Sequence, residues 1–423
     1  MAERPSKSWA LFVRTGVLLL SGALLSACST PAIDLARTEF YKGHYTQAET
    51  EINRAETDEL NEVLWRMERG TIRQAAGNYQ GSSEDYIRSS DLLKNLNTYS
   101  VSKGAASMVV NDNVQSFIGV PFERAMLHDL TALNHFAVGN WEHGAVEARR
   151  IIQVQQSEVR GDYPDDAFSR YVAGTALFMV DDYSNAELQY RTASGLLDGL
   201  TIDAIGVITP APINNQTPED GTTTNAPPPK PVFPRVRTAT NQYPAILTCF
   251  ALLGKSPSGQ ELLNGMDRHP PARYVEIYHR NEYLGRTYTL TDVYELAYRT
   301  AEMEALRKAA KTVARVAMKE GVAQSLEHND QELLGALVRL VLIGLLEEPD
   351  TRRWETLPHW LQAATIPCPT ELDEYDAVIK TDSGITLQTI HVTLPITRKG
   401  NRLISLFRDL PSNPSDGVPC PTQ

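Results

Sequence analysis

A short motif that occurs four times constrains the fold of this chain more than any other feature. It consists of a glycine or aspartate, an aromatic residue two positions later, a small residue three positions after that, and two further small, apolar or aromatic residues at helical spacing. The copies are Gly43-x-Tyr45-x-x-Ala48 with Ile52 and Ala55, Gly77-x-Tyr79-x-x-Ser82 with Tyr86 and Ser89, Gly139-x-Trp141-x-x-Gly144 with Ala148 and Ile151, and Asp181-x-Tyr183-x-x-Ala186 with Tyr190 and Ala193. The first two copies lie 34 residues apart. A recurrence of this kind indicates a repeat architecture.

An amphipathic helix is predicted before each copy of the motif. These helices run approximately over Ile33 to Tyr41, Glu62 to Ala75, Phe122 to Phe136 and Asp166 to Met179. The glycine ends the first helix, the aromatic residue packs back on it, and the small residue lets a second helix approach closely. Each unit is therefore predicted to be a helical hairpin.

The spacing and the small and aromatic positions resemble the tetratricopeptide repeat over about residues 32–198. The resemblance implies that the hairpins stack and leave a concave surface suited to a peptide or a partner's helix. The alternative is a series of unrelated amphipathic helices.

The N-terminus has the pattern of an export signal. Arg4, Lys7 and Arg14 precede an apolar run from Thr15 to Leu25, which is shorter than the roughly 20 residues of a membrane-spanning helix. The run ends in Leu25-Ser26-Ala27-Cys28, which resembles the bacterial lipobox. The resemblance implies cleavage before Cys28, acylation of its thiol and anchoring to the periplasmic face of a membrane. Ser29 in place of aspartate favours the outer membrane, and an uncleaved anchor helix is the alternative.

Charge argues against a nucleic-acid partner. The chain carries a formal net charge of −12, and residues 1–27 contribute three positive charges and one negative charge, which leaves −14 on the remaining 396 residues. Binding to phosphates requires a basic surface, and the sequence has no basic stripe.

A long polar segment interrupts the repeats between the second and third copies. Residues 102–113 include Asn111 and Asp112, and the next helix begins near Phe122, Glu123 and Arg124. The segment is either a surface insertion or a functional element. It resembles a family of uncharacterised bacterial lipoproteins with tetratricopeptide-like repeats, in which an Asn-Asp loop leads into a helix that starts with an aromatic residue, Glu and Arg.

The resemblance to that family continues through three further segments. These are Leu127-His128 with Ala132-Leu133-Asn134, Val146-Glu147-Ala148-Arg149-Arg150, and Arg170-Tyr171-Val172-Ala173-Gly174. The resemblance implies no catalytic activity. Relatives tend to be encoded near small envelope lipoproteins that resemble activators of peptidoglycan synthesis, which suggests a shared envelope or peptidoglycan-related complex. One expectation is that Glu123 and Arg124 pair with Arg149 or Arg150 across adjacent helices. The alternative is that Arg149 and Arg150 face the groove, where they would hold a partner's carboxylate.

The second half of the chain has a mixed character. Residues 201–240 are rich in proline, threonine and asparagine, which predicts a linker or long loop. Beyond it the pattern predicts buried strands over Ala245 to Leu253 and Arg273 to His279. Helices are expected over Thr291 to Glu320, opening with a Thr or Asp cap, and over Gln331 to Glu347. The end is predicted as strands over Tyr375 to Lys380, Ile385 to Pro395 and Arg402 to Phe407.

One block between the predicted helices and the final strands also resembles the lipoprotein family. It reads Asp350-Thr351-Arg352-Arg353-Trp354-Glu355-Thr356-Leu357-Pro358. Its Asp, Arg and Trp residues are interpreted as a buried anchoring turn, with a binding site as the alternative. An oxidising periplasm permits one disulfide, for which Cys368 and Cys420 are the preferred pair, with Cys249 as a small buried apolar residue.

Searches for catalytic and cofactor patterns exclude several classes of site. Gly254-Lys255-Ser256 lacks the first glycine of a phosphate-binding loop, and Pro257 breaks the helix that must follow. No His-Glu-x-x-His zinc motif and no Gly-x-Ser-x-Gly elbow occur. We therefore expect no catalytic residues, metal, cofactor or nucleotide.

The sequence as a whole predicts an α+β protein in four parts. These are a lipoprotein signal peptide over residues 1–27, an all-α tetratricopeptide-like array over 28–200, a linker over 201–240, and a smaller mixed α/β domain over 241–423 that ends in antiparallel strands. The expected function is a lipid-anchored, non-enzymatic scaffold whose repeats bind another envelope protein or peptide. The alternative is an enzyme or small-ligand site in the C-terminal domain near Trp354.

Overall fold

The computed structural model describes residues 31–55, 59–103, 116–161, 163–211, 243–263, 270–304, 350–393 and 396–410. Helices come first and strands follow, which confirms the α+β class. The helices of the first half are α1 (Pro31–Tyr41), α2 (Tyr45–Arg54), α3 (Glu62–Ala75), α4 (Tyr79–Lys103), α5 (Pro121–Ala137), α6 (Trp141–Arg160), α7 (Ala167–Met179) and α8 (Tyr183–Gly195).

Each repeat motif forms the turn between two helices. Its first residue has a positive φ in all four copies, at 81° in Gly43, 81° in Gly77, 70° in Gly139 and 66° in Asp181. This left-handed conformation suits glycine and is tolerated by aspartate, which explains the residue types at the position. The second helix of every pair begins at the aromatic residue of the motif. The four helical hairpins are therefore confirmed.

Aromatic rings connect the two helices inside three of the hairpins. The ring of Tyr183 lies 4.9 Å from that of Phe178, and the ring of Trp141 lies 6.3 Å from that of Phe136. In the first hairpin Tyr45 contacts Phe40 at 6.0 Å. The small motif residues Ala48, Ser82, Gly144 and Ala186 are buried. The two helices of each hairpin therefore approach closely at a small residue, as the sequence predicts.

A short β-hairpin follows the last helix. It consists of β1 (Leu200–Ile202) and β2 (Ile208–Pro210), which pair antiparallel. The carboxylate of Asp203 accepts hydrogen bonds from the backbone N–H groups of Ile205 and Val207, and Gly206 takes a φ of 86°. The predicted linker begins at residue 201, so its first part is an ordered hairpin instead. Residues 212–242 lie outside the described part.

Two sheets make up the second half. Its elements are β3 (Ala245–Leu253), α9 (Gly259–Leu263), β4 (Arg273–His279), β5 (Glu282–Arg286), β6 (Tyr288–Asp292), the helix α10 described over residues 293–304, β7 (Trp360–Cys368), β8 (Tyr375–Thr381), β9 (Thr386–Val392), β10 (Ile396–Lys399) and β11 (Arg402–Arg408). The five-stranded sheet has the order β10-β11-β3-β7-β6, and the four-stranded sheet has the order β5-β4-β8-β9. The pairing of β11 with β3 is parallel and the other pairs are antiparallel.

The five-stranded sheet lies between the helices and the four-stranded sheet. Along β3, Phe250 and Leu252 belong to a core shared with the helices, whereas Cys249 and Ala251 belong to a core shared with the four-stranded sheet. A strand covered on both faces has no solvent side, which explains why the predicted strand is a continuous apolar run instead of an alternating one. The described residues thus form three layers.

The predicted start of the helix at Thr291 differs from the structure. Thr291 and Asp292 end strand β6, although the sequence pattern assigns them to the start of a helix. The carboxylate of Asp292 still accepts hydrogen bonds from the backbone N–H groups of Tyr294 and Glu295, at 2.9 and 3.1 Å. The strand therefore passes into α10 without a loop. Asp292 is the last residue of the strand, and its side chain caps the helix. The helix predicted over Gln331 to Glu347 lies outside the described residues.

Candidate functional site

The first helices of the four hairpins, α1, α3, α5 and α7, face the rest of the chain. Phe250 of β3 stands among Phe136 of α5 and Phe168 and Tyr171 of α7, each at a ring-centroid distance of 6.0 Å. The hydroxyl of Tyr171 also lies 2.7 Å from Thr365 Oγ1 in β7. The inner face of the array is covered by the chain's own sheet, so the expected open concave surface is not present there.

Trp354 is the centre of the contact between the helices and the block at 350–358. Its side chain is 1% exposed, its ring lies 5.5 Å from that of Tyr86, and its indole N–H donates to Thr71 Oγ1 at 2.9 Å. The backbone N–H of Trp354 donates to the carboxylate of Glu123 at 2.9 Å. These are the contacts of an anchoring turn. A ligand near Trp354 would have to displace them.

A buried ion pair holds the same block against the first two hairpins. Arg37 donates to the carboxylate of Glu68 at 2.6 and 2.9 Å and to the backbone carbonyl of Arg353 at 2.8 Å. The same oxygen of Glu68 accepts the backbone N–H of Glu355 at 2.9 Å. Tyr41 donates to the carbonyl of Glu355 at 2.5 Å. Buried charges are stable only when paired and hydrogen-bonded, and here the partners come from both halves of the chain.

Asp350 and Arg352 of the block pair with each other, and Arg352 also bonds to the helical array. Arg352 forms two hydrogen bonds to Asp350, at 2.9 and 2.7 Å, and a third to the side-chain oxygen of Asn61 at 3.0 Å. Asn61 immediately precedes α3. The aspartate and the arginine therefore fix the start of the block to the start of the second hairpin.

Glu123 is a buried residue that connects two parts of the fold. One carboxylate oxygen accepts the N–H of Trp354, and the other accepts the N–H of Val120 at 2.9 Å, which satisfies the first turn of α5. Burial raises the pKa of Glu123. The expected pairing of Glu123 with Arg149 or Arg150 is therefore wrong, because both of its oxygens are taken by backbone groups on the inner side.

Arg124 also differs from its predicted pairing. Its guanidinium donates to the carboxylate of Glu158 at 2.8 Å and to the carbonyl of Gly119 at 3.1 Å. Glu158 is near the end of α6, whereas Arg149 and Arg150 are in the middle of that helix. Arg124 is therefore not paired with Arg149 or Arg150.

Arg149 and Arg150 lie on α6, the second helix of its hairpin, away from the sheet. Arg150 pairs with Glu147 at 2.7 Å, and Glu147 also contacts His128 at 2.7 Å. Arg149 is exposed, and its only hydrogen bond described is to the carbonyl of Ala145 in its own helix, at 3.3 Å. The predicted position of both arginines in a groove is therefore wrong, and Arg149 instead presents its charge on the outer face.

Helix α6 also carries an exposed apolar side chain next to this cation. Val146, one turn before Arg149, is 42% exposed. Exposed apolar residues scattered singly are ordinary, but an apolar side chain beside an uncompensated arginine is typical of protein contact surfaces. We call the surface formed by Val146 and Arg149 the α6 outer face.

Two of the cysteines can be placed. Cys249 and Cys368 are both buried, and burial raises the pKa of each thiol to about 12. Cys249 lies in the core between the sheets, as predicted for a small apolar residue. Cys420 lies outside the described residues, so its pairing with Cys368 stays a prediction.

Three further predicted site residues also lie outside the described part of the chain. They are Cys28, the expected lipidation site, and Asn111 and Asp112 of the loop between the second and third hairpins. Their roles stay predictions.

Sequence reasoning missed the charged residues of the inner face. Glu68 follows Met67 on α3 and lies four residues after Leu64 and four before Ile72, all three of which are buried. A charge on the apolar side of an amphipathic helix is the signal that could have identified it, because such a charge needs a partner from another element. The partner, Arg37, is on the first helix of the preceding hairpin.

Among the described residues, no group of three or more histidine, cysteine, aspartate or glutamate side chains is arranged to hold a metal ion. None of the helices described has the length and apolar character needed to cross a membrane.

No protein-family model matches the chain. The search of curated proteins also finds no match.

Proposed function

We propose that this protein is a lipid-anchored scaffold of the bacterial cell envelope, attached through Cys28 to the periplasmic side of the outer membrane, that binds another envelope protein. The proposal rests on the basic and apolar N-terminal segment that ends at Leu25-Ser26-Ala27-Cys28, and on the resemblance of the repeats and of the block at 350–358 to bacterial lipoproteins. No step of catalysis is part of the proposal.

The short distance between the anchor and the fold gives the proposal a geometrical consequence. Helix α1 begins at Pro31, three residues after Cys28. Three residues span at most about 11 Å even when extended. A protein acylated at Cys28 would therefore be held close to the bilayer, and its partner would approach from the membrane surface or from the sides of the helical array.

The α6 outer face is the binding surface that we propose. The single observation that supports it is Arg149, an exposed cation for which no carboxylate partner is present among the described residues. An arginine fork binds a carboxylate through two parallel hydrogen bonds, and Val146, one turn earlier on the helix, supplies apolar area beside it. A partner helix or peptide with acidic and apolar residues would satisfy both features.

The test is recovery of a partner from detergent-solubilised envelopes with the tagged, lipidated protein. Arg149→Glu and Val146→Asp are each expected to reduce recovery of a stoichiometric partner at least tenfold, a loss of about 1.4 kcal/mol. Arg191→Glu is the matched control, because Arg191 is also an exposed arginine without a described ion pair, and it lies on another second helix, α8. Equal recovery with all three variants would exclude this surface.

The anchor is tested separately. Radiolabelled palmitate should enter the wild-type protein and should not enter a Cys28→Ala variant, which should also leave the membrane fraction. Equal labelling of the two proteins, or no labelling of either, would remove the envelope location from the proposal.

A further inference from the structure

Two histidine side chains of the third hairpin lie side by side where helices α5 and α6 meet. His135 is in the last turn of α5, and His143 is in the first turn of α6. The centroids of their rings are 5.4 Å apart, and the ring planes differ by 43°. His143 is exposed and His135 is half-buried. The pair is therefore accessible to dissolved ions.

The turn between the two helices holds the histidines in place. Gly139 takes a φ of 70°. Its backbone N–H donates to the carbonyl of Phe136 at 3.0 Å, and the N–H of Asn140 donates to the carbonyl of His135 at 2.8 Å. A Cβ at Gly144, the residue after His143, would lie 2.9 Å from a ring carbon of Phe136. The helices thus approach closely next to the two imidazole rings.

The hydrogen bonds of His143 define which ring nitrogen carries the proton. Its Nδ1 lies 2.8 Å from Oδ1 of Asn140. The same oxygen accepts the backbone N–H of His143 at 3.4 Å, as the side chain of a helix N-cap does. An amide oxygen only accepts hydrogen bonds, so Nδ1 donates and the lone pair is on Nε2. Metal-binding histidines are held in the same way, with one ring nitrogen donating to the protein and the other left for the metal.

His135 also presents an available ring. Within the described part of the chain this ring contacts that of His143 and makes no hydrogen bond. Burial lowers the pKa of His135, so the imidazole is neutral at pH 7, the form that binds a metal ion. The other described histidines each have a ring nitrogen 2.7 to 3.1 Å from an oxygen of a carboxylate or of a backbone carbonyl, and they are His44, His128, His279, His359 and His391.

The spacing of the two rings matches that of two histidines bound to one metal ion. Zinc binds an imidazole nitrogen at about 2.0 to 2.1 Å in tetrahedral geometry. Each ring centroid is then about 3.2 Å from the metal, so two rings at the tetrahedral angle have centroids about 5.2 Å apart. The observed distance is 5.4 Å. A metal ion between the rings therefore requires no change in the separation of the helices.

We propose that His135 and His143 form a binding site for a first-row transition-metal ion such as Zn²⁺, held between the two helices of the third hairpin. Imidazole suits zinc, copper and nickel ions, whereas magnesium and calcium ions require oxygen ligands. The two histidines fill two positions of a tetrahedral ion, and water completes the coordination. The formal net charge of −12 on the chain favours the approach of a cation.

The expectation that the chain binds no metal rests on the absence of a zinc motif within one helix. His135 and His143 are on different helices, eight residues apart across a turn, so the turn and not a local spacing brings them together. The proposed metal site does not depend on lipidation or on the α6 outer face, because metal binding is measured without a partner. A negative result in either experiment leaves the other intact.

Zinc binding to the purified full-length protein, in detergent and without a polyhistidine tag, tests the proposal. Competition with a chromophoric zinc indicator should show one Zn²⁺ per chain, with a dissociation constant in the micromolar range because the protein supplies two ligands. His135→Gln and His143→Gln should each weaken zinc binding at least tenfold, and an equal concentration of Mg²⁺ should not displace the zinc. No zinc binding by the wild-type protein, or binding that both variants retain, would overturn the proposal.

His44→Gln is the matched control. His44 directly precedes the second helix of the first hairpin, its side chain is 44% exposed, and it pairs with Glu39. This variant should bind zinc as the wild-type protein does. A tenfold loss of zinc affinity in His44→Gln equal to that in His143→Gln would overturn the proposal, because the effect would not be specific to the pair.

A second measurement separates loss of the ligand from loss of the fold. Without zinc, all the variants should have the circular dichroism spectrum of the wild-type protein. Zinc should raise the midpoint of urea unfolding of the wild-type protein and of His44→Gln, because it binds the folded hairpin, and should leave that of His135→Gln and His143→Gln unchanged. An equal rise in all four proteins would place the zinc elsewhere and overturn the proposal.

Discussion

At the scale of single residues, the most unusual site is a pair of buried aspartates joined by one hydroxyl. Ser169 Oγ lies 2.6 Å from a carboxylate oxygen of Asp129 and 2.6 Å from one of Asp166. Asp166 also accepts the backbone N–H of Ser169 and caps α7, whereas the second oxygen of Asp129 has no hydrogen-bond partner. A hydroxyl has one proton to donate, so two such contacts require a proton on one carboxyl. Burial raises the pKa of both carboxyls, and together with the nearby charge of Asp166 it raises the pKa of Asp129 well above its usual range. We therefore assign the proton to Asp129.

This proton makes stability depend on pH in a predictable direction. Between the ordinary pKa of an aspartate and the raised pKa of Asp129, the folded protein holds a proton that the unfolded chain releases, so stability falls as the pH rises through that window. Asp129→Asn keeps the shape and removes the titration. Its stability relative to wild type should therefore increase with pH across the window, by at most about 1.4 kcal/mol for each pH unit. Urea unfolding at a series of pH values measures the difference.

The control for this prediction is an aspartate of the helical surface. Asp91 on α4 has a side chain 53% exposed, so Asp91→Asn should change stability little and without the same trend. A constant difference between Asp129→Asn and wild type at every pH would mean that Asp129 is ionised in the folded protein.

At the scale of elements, a glycine of the first helix packs against a tyrosine of the second helix in two of the hairpins. In the second hairpin Tyr86 packs on Gly70 and its hydroxyl donates to Thr71 at 3.1 Å. In the fourth, Tyr190 packs on Gly174 and donates to Thr175 at 3.2 Å. The pairs in the first and third hairpins, at the same separation of 16 residues, are Ala36 with Ile52 and Ala132 with Ala148. Glycine thus occurs where the facing residue is tyrosine, because the ring occupies the space of a methyl group.

Gly174→Ala tests this glycine–tyrosine contact. A Cβ at residue 174 would lie 2.8 Å from two ring carbons of Tyr190, and Tyr190 is 1% exposed and cannot move outward. Overpacking of this kind costs about 1 to 3 kcal/mol, more than the roughly 1 kcal/mol that alanine gains over glycine in a helix. The net effect should be a lower free energy of unfolding by chemical denaturation.

Gly195→Ala on α8 is the matched control for the glycine–tyrosine contact. A Cβ there has nothing within 4 Å, so the variant should be as stable as wild type or more stable. If Gly174→Ala also gains stability, the contact with Tyr190 does not limit the approach of the two helices.

The elements show what local sequence can and cannot specify. Strands β3 and β4 have the predicted bounds, because continuous or alternating apolar residues ended by turn residues define a strand locally. No sequence pattern predicts the hairpin of β1 and β2, since three-residue strands are too short for a periodic signal. The pattern places the start of α10 two residues early, since β6 passes into the helix without an intervening loop.

The candidate site was less predictable than the fold for a related reason. Periodicity shows which side of a helix is apolar, but it does not show which element covers that side. The inner face of the array was therefore expected to be open, and it is covered by β3 and by the block around Trp354. The pairing of Arg37 with Glu68 and of Glu123 with the backbone of Trp354 depends on the same long-range arrangement, which no local pattern contains.

At the scale of the whole molecule, the shared core makes the array and the sheets interdependent. One apolar core includes Met67, Phe136 and Phe168 of the helices together with Phe250 and Leu406 of the five-stranded sheet. Isolated repeat arrays unfold in stages because each unit contacts only its neighbours. Here every hairpin also contacts the second half of the chain through its first helix, so helices and sheets should unfold together.

A substitution far from the helices tests this coupling. Ile277 of β4 is fully buried between the two sheets, and Ile277→Ala should cost about 2 to 5 kcal/mol. If the layers are one cooperative unit, the loss of helical circular dichroism in urea should move to lower concentration by as much as tryptophan fluorescence does, although no helix contains the substitution. Ile385→Ala, at a 63% exposed position, should move neither signal. A helical transition that keeps its wild-type midpoint in Ile277→Ala would show that the array is stable by itself, with an inner face that can open to another partner.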